Sequence, residues 1–89
     1  MKSFITVIGT DTVGIIAAIA NILAEREANI LDINQTVMDG VFTMIMMVET
    51  SKITCEFSEL SKTLDDYGKM AGLSVRIQRE DIFNSMHRI

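Results

Sequence analysis

Ile30-Leu-Asp-Ile-Asn-Gln-Thr-Val-Met38, Asp39-Gly40 and Val41-Phe-Thr-Met-Ile-Met-Met-Val-Glu49 are two β-rich runs separated by two residues. Asp-Gly between alternating apolar residues is the strongest short-range hairpin signal, because both central positions of the preferred turn need a positive φ. In the first run Leu31, Ile33 and Val37 point one way, and Asp32, Asn34 and Thr36 the other. The second run is apolar on both faces, with Phe42, Met44, Met46 and Val48 opposite Val41, Ile45 and Met47. That pattern predicts a strand in the middle of a sheet.

Upstream, Phe4, Ile5, Val7 and Ile8 around Thr6 form a short run that stops at Gly9, read as a strand from Ser3 to Ile8. The period then changes. From Val13 to Ala28 the residues Val13, Ile16, Ala17, Ala20, Leu23 and Ala24 fall on one helical stripe that Ile15, Ile19 and Ile22 widen, and Asn29 is a candidate terminator. Downstream, Phe57, Leu60, Leu64, Tyr67 and Ala71 recur at helical spacing up to Gly72, and Leu73 to Gln78 alternates as a strand with one wet face. The order βαββαβ, with right-handed crossovers, predicts a ferredoxin-like α+β fold: a four-stranded antiparallel sheet with two helices on one face. The domain runs over residues 1–79. Residues 80–89 form a tail in which Asp81 is a candidate N-cap and Ile82, Phe83, Met86 and Ile89 share one side of a short helix.

Composition narrows the function classes. With 89 residues there is room for one core, and a domain this small gains from pairing with a copy of itself, so a homodimer is expected. Twelve acidic against eight basic residues give a net charge of -4, which repels nucleic acid. The single Cys55 makes neither an intramolecular disulfide nor a zinc site, which fits a cytoplasmic protein. Thr12 to Ala24, thirteen residues without a charge, is too short to span a bilayer, and no leader pattern precedes it.

An enzyme is not expected. The only histidine, His87, lies on the tail, far in sequence from Cys55, and the carboxylate neighbours Asp65-Asp66 and Glu80-Asp81 read as solvated faces. Gly9-Thr-Asp-Thr-Val-Gly14 has the glycine spacing of a phosphate loop, but Ile15 and Ile16 stand where its lysine and hydroxyl belong. Met44, Met46 and Met47 split between two strand faces and suit packing rather than a soft metal. No metal or cofactor pattern is present. What remains is the turn Thr10-Asp11-Thr12-Val13-Gly14, which leaves the first helix with free amide donors at its positive end. Either a small carboxylate docks there, or Asp11 or Thr12 caps the helix with its own oxygen.

Thr6-Val-Ile-Gly-Thr-Asp-Thr-Val-Gly-Ile-Ile-Ala17, followed by Leu23-Ala-Glu-Arg-Glu-Ala-Asn-Ile-Leu-Asp-Ile33, resembles the first half of an ACT domain, a small regulatory module that typically binds amino acids. The chain looks most like stand-alone ACT proteins, a group its tail from Gln78 to Ile89 also resembles, and is similar to the ACT modules of the glycine cleavage system repressor and of formyltetrahydrofolate deformylase. The resemblance implies a ligand lying where the first loop of one subunit faces the opening of the second strand, often across a dimer interface. Carried onto this chain, it points to Asp11, Thr12, Val13, Gly14 and Ile15 for backbone contacts, and to Asn29 and Ile30 for the amino group and the pocket wall. Val13 replaces a common proline and Ala28 a common glycine. With no catalytic or DNA-binding domain read in these 89 residues, the output of such a module is expected to pass through a partner protein. The competing reading is a ligand-free adaptor whose tail and sheet dock on an enzyme.

Overall fold

The computed structural model describes residues 1–10 and 13–81. The elements are β1 (Lys2–Thr10), α1 (Ile15–Glu25), β2 (Asn29–Met38), β3 (Val41–Glu49), α2 (Phe57–Ala71) and β4 (Leu73–Arg79). The strands form one sheet in the order β2-β3-β1-β4, with every neighbouring pair antiparallel. This is the ferredoxin-like arrangement, with both helices on one face. Asp39 (φ 53) and Gly40 (φ 79) both sit at positive φ, as a type I′ hairpin turn requires, so β2 and β3 pair from Met38 opposite Val41 outward.

Alternation decides which side chains the helices cover. Ile5 and Val7 of β1, Met44, Met46 and Val48 of β3, and Val75 and Ile77 of β4 are buried against Ile15, Ile19 and Leu23 of α1 and Leu60 and Leu64 of α2. Met44 and Met46 are wholly buried, whereas Met47 lies on the opposite face only partly covered, so the methionine cluster divides between the two faces as its spacing predicts. The two-sided apolarity of β3 follows from its place between β2 and β1.

The first helix differs from its sequence reading in three ways. It is shorter at both ends, starting at Ile15 and ending at Glu25. Its buried stripe is Ile15, Ile19 and Leu23, while Val13, Ala17 and Ala24, placed on the inner stripe by periodicity, are exposed. A run of alanine and isoleucine defines no polar face, and the larger isoleucines win the core because they remove more apolar surface from water. Nor is Asn29 the terminator. The Ala28 N–H donates to the Leu23 carbonyl (3.0 Å) and the Glu27 N–H to the Ala24 carbonyl (3.2 Å), the paired bonds of a Schellman motif, with Glu27 itself left-handed at φ 58. Ala28 and Leu23, both buried, supply the apolar contact that accompanies this motif, and Asn29 becomes the first residue of β2.

The remaining local structure follows the sequence more closely. Gly72 ends α2 in the left-handed conformation, and its N–H donates to the Gly68 carbonyl. Gly68 is buried, and a Cβ there would stand 2.7 Å from the Leu73 carbonyl oxygen, so glycine lets α2 close directly onto the start of β4. At the opposite end of the sheet two buried hydroxyls meet. Thr50 donates its only hydroxyl hydrogen to the Met1 carbonyl (2.8 Å), so the Ser3 hydroxyl 3.1 Å away is the donor to Thr50 Oγ1. Cys55 is a partly buried free thiol packed against the core ahead of α2. Among the described residues no helix is long and apolar enough to cross a membrane. The tail helix expected from residue 82 onward lies outside the described residues.

Candidate functional site

The turn after β1 sets the first helix on its path through one residue. Gly14, the residue before α1, holds φ 90 and ψ 5, a left-handed conformation that an L side chain resists. A Cβ built there meets no atom of the described residues within 4 Å, so among them glycine is required by the backbone and not by a lack of room. The first intrahelical bond runs from the Ala18 N–H to the Gly14 carbonyl at 2.9 Å. The N–H groups of Ile15, Ile16 and Ala17 therefore have no acceptor within the helix. The first turn of α1 also carries no acidic side chain, so its positive end is not balanced from within the helix.

Those same residues line a cleft. Gly14, Ile15, Ile16 and Ala17 form one wall, Gln35 and Val37 of β2 the other, and Phe42 of β3 the floor, enclosing about 420 Å³. Phe42 is buried and Val37 half exposed, giving the cleft an apolar base. Among the described lining residues Gln35 carries the only polar side chain, an amide with both donors and an acceptor. None of these lining residues is charged, so a zwitterion entering the cleft would find amide donors for its carboxylate and a side-chain carbonyl for its ammonium group.

Of the residues singled out in the sequence, Gly14 and Ile15 line this cleft, and Val13 lies beside it, fully exposed. Asp11 and Thr12 lie outside the described residues. Asn29 and Ile30 stand elsewhere: Asn29 pairs with Glu49 and Ile30 with Val48, at the far end of β2 from the hairpin. Six strand residues separate Asn29 from Gln35, roughly 20 Å. A single chain therefore does not bring the two halves of the expected site together. Ile16, Ala17, Gln35, Val37 and Phe42 were not anticipated. The signal for Gln35 was present, since it is the one polar side chain between Ile33 and Val37 on the helix-facing side of β2.

Other chemistry is sparse. Asp65 and Asp66 point apart, each held by a lysine one turn away, Lys69 at 3.1 Å and Lys62 at 2.8 Å. The Lys62 hydrogen bond keeps the Asp66 carboxyl below its ordinary pKa and raises that of Lys62 in return. Both pairs are exposed, as a solvated helix face requires. Among the described residues no three of His, Cys, Asp and Glu gather as a metal site would require.

Known proteins place this geometry in a family. The model of the ACT domain matches residues 4–78. A UPF0237 protein of Clostridium acetobutylicum is 53% identical over 89 residues, covering all of both chains. The solved structure of an ACT domain protein from Streptococcus pneumoniae superposes with a TM-score of 0.80 at 37% identity, covering 93% of each chain. At the level of fold alone, a putative glycine cleavage system transcriptional repressor (TM-score 0.75, 23% identity, 88% of this chain and 44% of that one) has the same arrangement. So does a formyltetrahydrofolate deformylase of Burkholderia mallei (0.78, 11%, 88% and 28%). A match over this much of the chain, on a βαββαβ sheet, establishes that the chain belongs to the ACT-domain family.

Proposed function

We propose that this chain is a cytoplasmic regulatory module that binds an amino acid or a related metabolite at the start of α1 and at a dimer interface, and acts on a separate partner protein. The observation that carries the reading is the convergence in one cleft of three amide donors that have no acceptor within the helix, one neutral amide side chain and an apolar floor. The ligand's carboxylate accepts from the N–H groups of Ile15, Ile16 and Ala17, where the helix dipole favours negative charge. Its ammonium group donates to the Gln35 side-chain carbonyl. Its side chain rests on Val37 and Phe42, which favours a small aliphatic group over a charged one.

Asp11, Thr12, Val13, Asn29 and Ile30 enter this reading through the loop and the second copy. β2 is an edge strand, exposed along nearly its whole length. An antiparallel pairing of two β2 strands would set the end of one strand that holds Asn29 and Ile30 beside the end of the other that holds Gln35 and Val37. The halves of the site that lie apart in one chain would then meet across the interface, and ligand would favour that dimer by its differential affinity for it.

The test is thermal unfolding in the presence of each of the twenty amino acids. A ligand at one hundred times its dissociation constant should raise stability by about 2.7 kcal/mol, which in a domain of this size is a shift of roughly 10–20 °C. A flat response across the panel would remove the sensor reading and leave an adaptor.

A further inference from the structure

Among the described residues β4 is an outer strand of the sheet, paired with β1 alone. Its register with β1 runs unbroken from Leu73 opposite Gly9 to Arg79 opposite Ser3, with neither a bulge nor a proline to disturb it. The outward backbone N–H and C=O groups of such a strand are a template for one more strand. The β2 edge, by contrast, is interrupted by the bulge between Ile30 and Asp32.

A helix stands beside the β4 edge. α2 turns directly into β4 through Gly72 and comes close to it at Gly68, where a Cβ would lie 3.2 Å from Val75 Cβ. Toward the other end of α2, Ser58, Ser61, Lys62 and Asp65, spaced i, i+3, i+4 and i+7, share one helix face. They form one wall of a cleft of about 400 Å³ whose other wall is β4 from Val75 to Gln78. A groove between an edge strand and a helix takes an extended chain, whose backbone continues the sheet while alternate side chains turn toward the helix and away from it.

Charge selects the sequence of that chain. Lys62 is paired with Asp66, Lys69 with Asp65 and Arg79 with Asp81. Arg76, exposed in the middle of β4 on the sheet face turned away from the helices, makes no ion pair among the described residues. The fullest antiparallel pairing of β4 with a second copy would set Arg76 opposite Arg76 of the partner subunit, and like charges directly across a ladder are destabilising. An acidic residue in the added strand is favoured by the same rule.

We propose that the β4 edge receives an extended acidic segment of another protein as a fifth strand, lying in the cleft beside α2 with one of its carboxylates paired to Arg76. This surface is separate from the cleft at the start of α1, so it stands whether or not a metabolite binds there.

Two seven-residue peptides with blocked ends test this, one alternating glutamate with valine and the other lysine with valine, each titrated into the full-length chain labelled with nitrogen-15. The glutamate peptide should give saturable amide shifts concentrated from Leu73 to Arg79 and on the cleft side of α2, and should slow hydrogen exchange at the outward amides of β4. The lysine peptide should bind roughly two- to thirty-fold more weakly, the range for exchanging an attractive cross-strand charge pair for a repulsive one. Arg76→Glu, at an exposed position, should reverse the order of the two peptides. Equal binding of the two, an order unchanged in Arg76→Glu, shifts centred on β2 or no saturable shift at β4 overturns the proposal. Contacts between the β4 strands of two copies in the chain alone would give the edge to self-pairing and overturn it as well. The Ile15, Ile16 and Ala17 amides, followed in the same spectra, should not respond to either peptide, which keeps failure at β4 distinct from failure of the metabolite site.

Discussion

Replacing Gly14 by alanine separates backbone geometry from space at the helix start. No atom of the described residues lies within 4 Å of a Cβ at this position, so the added methyl meets no steric resistance from them. The cost comes only from φ 90, and a left-handed L residue is penalised by roughly 1–2 kcal/mol. Against this, alanine restricts the unfolded chain and returns about 0.4–1 kcal/mol. The net loss should be about 1 kcal/mol, or a fall of roughly 4–8 °C in Tm for a domain of this length. Gly14→Asn should lose less, because its short side chain tolerates the left-handed region. Urea unfolding of the three proteins, with equal slopes to confirm comparable unfolding transitions, gives the order Gly, Asn, Ala from most to least stable. Alanine as stable as glycine, or asparagine as damaging as alanine, would refute the claim that backbone conformation alone selects glycine here.

Gly9 makes the opposite case. A Cβ there would press against Leu73 Cδ2 and stand 3.2 Å from Leu73 Cα, so Gly9→Ala should cost about 1–3 kcal/mol by overpacking, measured by the same unfolding assay. Glu27→Gly should stabilise the chain by about 0.5–1 kcal/mol, because Glu27 is exposed and left-handed at the end of α1; a loss of stability would mean that its side chain contributes more than its backbone costs. The Met1 ammonium hydrogen bond, helped by Ser51, holds the Glu49 carboxyl down from the ordinary 4.5 to about 2. A carboxyl whose folded pKa is depressed stabilises the fold above its unfolded pKa and loses that contribution as pH falls through the folded one. Carbon-detected titration should therefore place the Glu49 midpoint near 2, and Glu49→Gln should flatten the fall in stability between about pH 4.5 and 2.

The parts of the fold that could be read from sequence are those where one residue type has one physical use. Asp39-Gly40 could only be a tight hairpin, Gly72 stops α2, and the alternation of Phe42, Met44, Met46 and Val48 fixes the buried face of β3. The inner face of α1 was less legible, since isoleucine and alanine occur all around it and only packing distinguishes them. The helix end at Glu27 was hidden for a related reason. Glutamate has no preference for the left-handed region, and the Schellman bonds from Ala28 and Glu27 impose it through tertiary burial of Ala28.

The candidate site was half legible. Gly14 and Ile15 announce a helix start, and the structure sets them on the cleft. The opposite wall depends on how far along β2 the helix start falls, which spacing within a strand does not reveal. The bulge between Ile30 and Asp32 adds to this, because it interrupts the simple alternation and brings Ile30 and Ile33, three residues apart, to the same helix-facing side. Gln35 was visible as a lone polar residue on an apolar strand face, yet only the fold sets it across from Ile16 and Ala17.

The central claim is that the first amides of α1 receive a carboxylate, and amide chemical shifts report this directly. With the chain labelled with nitrogen-15 and titrated with each amino acid in turn, the account predicts saturable shifts concentrated at Ile15, Ile16 and Ala17 for at least one amino acid, and at the Gln35 side-chain amide for the same one. Their absence throughout the series, or shifts confined to residues away from this cleft, would contradict it.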